Sequence, residues 1–117
     1  MLLFKPDHIE AIRAGTKTVT RRDWADGYPR PNVGSIRGAT TEMFQTREET
    51  DCWLRIEDVY EEPLSEMDDA DARAEGGYGM ADFREAWRDI NGAWDPELVV
   101  AVVEFEYVGR ERPEDER

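Results

Sequence analysis

Gly15-Thr16-Lys17-Thr18-Val19-Thr20-Arg21-Arg22 is the stretch on which the reading of this chain turns. The glycine stops a preceding amphipathic segment, and Thr18 to Arg21, rich in β-branched side chains, reads as a strand. The stretch is therefore a helix-to-strand junction. Lys17, Arg21 and Arg22 bring cations to it, and Thr16, Thr18 and Thr20 bring hydroxyls, in a chain whose formal net charge is −13. A cationic, hydroxyl-rich junction in an acidic background is suited to holding something anionic or polar.

Upstream, Leu2 to Phe4 reads as a first strand. Pro6 suits the first turn of a helix whose Ile9 and Ile12 share a face. Asp7 and Glu10 sit near its positive end and Arg13 at its negative end. Downstream, Trp24 to Val33 holds prolines, a glycine and two aromatics and reads as a loop. Ser35 to Thr40 reads as a strand. Glu42 to Asp51 is polar and gives no assignment. Cys52 to Tyr60 alternates, with Cys52, Leu54 and Ile56 on one face and Trp53, Glu57 and Val59 on the other. Leu64 to Ala74 reads as one small helix, broken by Glu75-Gly76-Gly77-Tyr78-Gly79. Ala81 to Ile90 is a second helix, with Phe83, Trp87 and Ile90 at helical spacing, and Asn91-Gly92 ends it. Leu98 to Val108 is apolar on both faces, which predicts a strand in the middle of the fold. Strands and helices do not alternate as βαβ units. The expectation is a mixed α+β domain over residues 1–109: a small β-barrel of about five to six strands with two or three short flanking helices. Residues 110–117 read as a charged tail.

The 117 residues suffice for one domain with a real core. Cys52 is the single cysteine, so no intrachain disulfide is available. One histidine and one cysteine cannot make a usual zinc site, and no carboxylate spacing resembles a calcium loop, so no cofactor or metal is expected. No apolar run is long enough to span a membrane, and Met1 to Lys5 leads into strand-like sequence rather than a signal peptide. Lys5 and Lys17 are the only lysines, against abundant Asp, Glu and Arg. That balance predicts a salt-adapted cytoplasm. The charge is also uneven: residues 1–40 carry +3 and the remainder −16. At high salt, charge alone is a poor source of affinity, so binding there must rest on stacking and specific hydrogen bonds.

Phe4, Ile9, the series Gly15-x-Lys17-x-x-Thr20-x-Arg22, then Glu75-Gly76-Gly77, the helix with Phe83 and Trp87, Asn91-Gly92 and a last strand ending Glu104-Phe105 follow one another in order. This arrangement, from about Leu2 to Val108, resembles the ASCH domain family of small PUA-like β-barrels. The resemblance implies RNA-related work, with RNA or a modified nucleoside as partner. It also implies an alternative, since a subgroup of the family is similar to amidohydrolases acting on N4-acetylcytidine through a Lys, a Thr and a Glu. The matching positions are Lys17, Thr20 and Glu75. The longer middle region, the Gly76-Gly77-Tyr78-Gly79 turn and the Trp-bearing helix depart from that subgroup. A third expectation is a non-catalytic interaction module of the translation apparatus.

If the site hydrolyses an amide, Thr20 is the nucleophile and Lys17 its base, which requires a lowered lysine pKa. Glu75 then positions the amine or moves a proton. Residues three apart on a regular strand face opposite ways, so Lys17 and Thr20 converge only if Lys17 lies in a turn or bulge before the strand. If the site only binds, Lys17, Arg21 and Arg22 meet phosphate or base edges and Thr18 or Thr20 hydrogen-bonds the base. Trp24, Tyr28 and Tyr78 then offer stacking surfaces. Phe83, Trp87, Trp53 and Trp94 are expected to be packing. His8 is expected on the helix surface, and Glu61-Glu62 and Asp68-Asp69 in solvent.

Overall fold

The computed structural model describes residues 2–42 and 50–112. Its strands are β1 Leu2–Leu3, β2 Val19–Arg22, β3 Ile36–Thr40, β4 Cys52–Pro63 and β5 Val99–Gly109. Its α-helices are α1 Pro6–Ala14, α2 Asp69–Ala74 and α3 Met80–Asn91. The strands form one sheet in the order β1-β3-β4-β5-β2. The β1–β3 pair is parallel, and the other three pairs are antiparallel. The apolar β5 has a neighbour on each side, as its two-faced sequence predicts. Among the described residues the architecture is the expected mixed α+β fold, with five strands in one curled sheet that makes a half-barrel and three flanking α-helices.

The two edge strands, β1 and β2, are joined by a side chain instead of a ladder. Arg22 at the end of β2 donates from Nη2 to the Leu3 carbonyl at 2.6 Å. Its guanidinium also lies 4.8 Å from the centre of the Phe4 ring. An arginine suits this position because its planar fork bonds a carbonyl while its face stacks on an aromatic. The seam between β1 and β2 is thus closed at one point and open beside it.

β4 and β5 make a long ribbon with a bulge at Ile56/Asp58. The extra residue, Glu57, flips the phase of the strand. Val59 therefore pairs with Val103 and packs with Leu54 and Ile56, not on the opposite face as strict alternation predicts. One core joins these residues to Leu2, Phe4, Ile9, Ile12, Ala39, Cys52, Val103 and Phe105. A second core lies under α2 and α3 and holds Leu64, Met67, Ala72, Phe83, Trp87 and Val100.

The expected single helix over Leu64 to Ala74 is two pieces. A 3-10 turn spans Leu64–Glu66, and α2 starts afresh after Asp68. The cause is a capping box. Asp68 accepts from the Asp71 N–H, and the Asp71 side chain accepts from the Asp68 N–H. Asp68 is thus a helix cap as well as an exposed acid. Trp53 and Trp94 pack as expected, Trp53 being buried and Trp94 edge-on to Phe83 and Trp87. Ile90, at helical spacing with Phe83 and Trp87, is 55% exposed. Residues 43–49, within the stretch that gave no sequence assignment, and 113–117 of the expected tail lie outside the described residues.

Candidate functional site

Helix α1 ends in a left-handed Gly15, with φ at +83°. The Thr16 N–H reaches back to the Ala11 carbonyl at 2.9 Å and the Lys17 N–H reaches the same carbonyl at 3.1 Å. This Schellman-type closure turns the chain sharply before β2 begins at Val19. Lys17 therefore lies in the turn and Thr20 on the strand, which is the irregularity their convergence requires. Both line the same cavity.

That cavity sits at the open part of the seam and has a volume of about 430 Å³. Lys17, Thr20, Arg22, Glu75, His8 and Tyr78 give it polar walls. Phe4 from the β1 side and Phe83, Trp87 and Ile90 from α3 give it apolar ones. A concave, largely apolar space with a few convergent polar groups is the usual form of a small-molecule site.

The Lys17 side chain is 1% exposed, and its ammonium uses all three protons on the protein. It donates to the Val19 carbonyl at 2.9 Å, the Glu75 carbonyl at 2.8 Å and Glu75 Oε1 at 3.1 Å. The Glu75 carbonyl is one of those left unpaired at the C-terminal end of α2, where a cation is favoured. Burial pushes the Lys17 pKa below its usual value, and Arg22 and Arg21 add to this, while Glu75 opposes it. The other oxygen, Glu75 Oε2, accepts from Arg21 Nη1 at 3.0 Å. Arg21 Nη2 is held by Glu62 Oε2 at 2.8 Å. Burial favours loss of the Arg21 proton, but Glu62 and Glu75 outweigh it and its pKa is raised.

Thr20 is buried, and its Oγ1 accepts from Arg22 Nε at 3.0 Å. Arg22 Nη1 has no protein partner among the described residues, so Arg22 keeps donors for a ligand where Lys17 keeps none.

His8 is not a plain surface residue. It is half-buried and lines the cavity, with Nε2 2.7 Å from the Tyr78 hydroxyl and the two rings edge-on. α1 starts two residues before it, and so points His8 across at the Gly76-Gly77 turn that carries Tyr78. Burial lowers the His8 pKa below 6.5, and Lys17 lowers it further. The unfolded chain then holds the proton more tightly than the folded one. The His8 contribution to stability is expected to be complete above pH 6.5 and to fall as pH drops through the lowered folded value. Denaturant melts across that range should show the slope, and His8→Gln should flatten it. An unchanged slope in the variant would contradict this account of His8.

Of the residues singled out in the sequence, Lys17, Thr20, Arg21, Arg22, Glu75 and Tyr78 meet at this cavity. Thr18 does not: it is exposed, and its N–H goes to the Ala74 carbonyl. Trp24 and Tyr28 lie elsewhere, stacked on each other at 5.2 Å. They line a separate pocket with Pro29, Arg30, Pro31 and Arg37. Arg30 covers Trp24 at 5.4 Å, so that ring is already occupied by its neighbours. His8 and Glu62 were missed because nothing local marks them. Each is defined by a partner far off in the chain, Tyr78 for one and Arg21 for the other.

No protein-family model and no curated protein matches the sequence. Solved structures do match the fold. The ASCH domain from Lactobacillus crispatus superposes with a TM-score of 0.68 at 18% identity, over 87% of this chain and 70% of that one. A protein from Enterococcus faecalis matches with a TM-score of 0.64 at 17% identity, over 92% of this chain and 75% of the other. ASCH from Zymomonas mobilis matches with a TM-score of 0.63 at 12% identity, over 94% and 71%. The chain has the fold of these ASCH domain structures. No helix among the described residues is long and apolar enough to cross a membrane.

Proposed function

We propose that this chain binds a single modified nucleoside, free or as an unpaired residue of RNA, in the seam cavity, and that it does so in a salt-adapted cytoplasm. The observation that carries the reading is the cavity itself. It is of ligand size, walled by Phe4, Phe83 and Trp87, and edged by Arg22, Thr20, His8 and Tyr78. Aromatic walls with a few hydrogen-bonding groups are what an unstacked base needs. Such contacts also survive high salt better than phosphate pairing does. The separate placement of Trp24 and Tyr28 favours one enclosed base over a strand stacked along the surface.

A second reading, hydrolysis of an N4-acylcytidine-type amide, is favoured by one observation. The Thr20 hydroxyl sits under the Arg22 guanidinium, a cation suited to stabilise an alkoxide, beside the buried Lys17–Glu75 pair. In this arrangement Lys17 is a saturated ammonium, so it becomes a base only after passing a proton on, with Glu75 the adjacent acceptor. Incubation with N4-acetylcytidine in molar potassium chloride, followed by equilibrium dialysis and chromatography, separates the two. Retention of intact ligand supports binding alone. Release of cytidine and acetate that is lost in Lys17→Ala and Thr20→Ala supports hydrolysis. Neither retention nor release, with N4-acetylcytidine or with a short single-stranded RNA, would overturn the nucleoside reading and leave the interaction-module alternative.

A further inference from the structure

We infer that Glu62 is a positioning residue for the seam cavity: by holding Arg21, it fixes the Glu75 carboxylate against the Lys17 ammonium. The inference deepens the nucleoside reading, because Lys17 and Glu75 are walls of that same cavity.

Four charged side chains form a relay of alternating sign. Glu62 Oε2 accepts from Arg21 Nη2 at 2.8 Å, Glu75 Oε2 accepts from Arg21 Nη1 at 3.0 Å, and Glu75 Oε1 accepts from Lys17 at 3.1 Å. The register explains why they meet. Arg21 pairs with Val102 on one side of β5, and Val102 pairs with Tyr60 on the other. Paired residues share a face, and Glu62, two residues on, shares it too. The sheet thus presents Arg21 and Glu62 together to the end of α2, where Glu75 stands. Arg21 and Lys17 are 1% exposed at their side chains and Glu75 is 5%, whereas Glu62 is 21%. The outer acid is the one nearest solvent.

Arg21 gives one terminal nitrogen to each acid. Without Glu62, both nitrogens are free to grip Glu75 as a fork, the arrangement that guanidinium and carboxylate prefer. Glu75 would then turn from Lys17, and the ammonium would lose one of its three acceptors. Lys17 serves a ligand only by leaving one of those acceptors, so the relay sets how readily it does so. The other titratable and charged groups facing the relay are Arg22 from β2, His8 from α1, Tyr60 from β4, Tyr78 from the turn after α2, and Asp71 from α2, whose Oδ2 lies 3.9 Å from Arg21.

Lys5 and Lys17 are the only lysines, so a carbon-13 NMR titration of the lysine Cε resolves Lys17 as one of two signals, assigned by which signal is lost in Lys5→Arg or Lys17→Arg. Lys17 is expected to titrate below the usual lysine value in the parent. It is expected to fall further in both Glu62→Gln and Glu62→Asp, by about half a pH unit, roughly a threefold loss of proton affinity. The aspartate is the decisive variant, because it keeps the charge and loses the reach. A Glu62→Asp that titrates like the parent while Glu62→Gln falls would overturn the positioning role in favour of charge at a distance. No movement of Lys17 in either variant would overturn it outright. The measurement needs no ligand, so a failure here is separate from a failure of nucleoside binding.

Discussion

Replacing Glu75 by alanine is expected to remove about 3–5 kcal/mol of stability, the loss typical of stripping one partner from a buried ion pair. The reason is arithmetic of charge rather than packing. Glu75 is the acceptor for both Lys17 and Arg21, and both of those side chains are buried. The variant would leave two cations in the wall of a cavity with Glu62 and the more distant Asp71 as the remaining acids. Glu75→Gln keeps the shape and one acceptor oxygen but not the charge, so it should lie between alanine and the parent. Because the pair is shielded from solvent, the loss should persist in molar salt, unlike that of a surface pair. Denaturant melts at low and high potassium chloride provide the check. A loss below about 1 kcal/mol, the range of exposed pairs, would contradict the buried network described here.

Arg22→Ala is expected to weaken nucleoside binding by about 10- to 100-fold, or roughly 1.4–2.7 kcal/mol. Arg22 bridges the two edge strands through the Leu3 carbonyl, covers Phe4 and donates to Thr20. It also has unengaged donors at the cavity, where the Lys17 ammonium has none. The substitution therefore removes a ligand donor and loosens the seam beside it. Arg22→Lys should restore little, because an ammonium cannot bond a carbonyl and a hydroxyl as a planar fork while lying flat on a ring. Calorimetric titration of parent and variants checks this, with circular dichroism to confirm folding. Full affinity in Arg22→Ala would show that the ligand does not engage the seam.

How much of this was legible in the sequence depends on whether the signal was local. Gly15 stopping α1, Gly92 stopping α3 and the two-faced β5 are local or periodic features, and they placed the main elements. The Leu64 to Ala74 segment misled because its alanines and acids suit a helix throughout. The restart depends on a reciprocal hydrogen bond between Asp68 and Asp71 that composition does not display. The bulge at Glu57 was hidden for a similar reason: an extra residue shifts the phase of a strand only relative to its partner.

The site divides in the same way. The family resemblance paired Lys17 with Thr20, and strand geometry then required a turn between them if they were to converge. Glu75 was matched through the same resemblance, by its place ahead of the second helix. Arg21 looked like a ligand contact, yet its guanidinium is committed to Glu62 and Glu75 through pairings of β2 and β4 with β5 that no spacing reveals. Trp24 and Tyr28 follow Arg22 closely in the chain, but the loop carries them to the other side of β1. There Leu2 lines their pocket, while Leu3 lines the cavity.

The seam cavity as a nucleoside site is tested most directly by nitrogen-15 NMR of the indole N–H groups during titration with N4-acetylcytidine. The chain has four tryptophans, and Trp87 is the one that lines the cavity. The account predicts a saturable shift of the Trp87 signal, with Trp53 unmoved and Trp24 little affected. A Trp87 signal that stays in place at millimolar nucleoside, or a shift confined to Trp24, would contradict it.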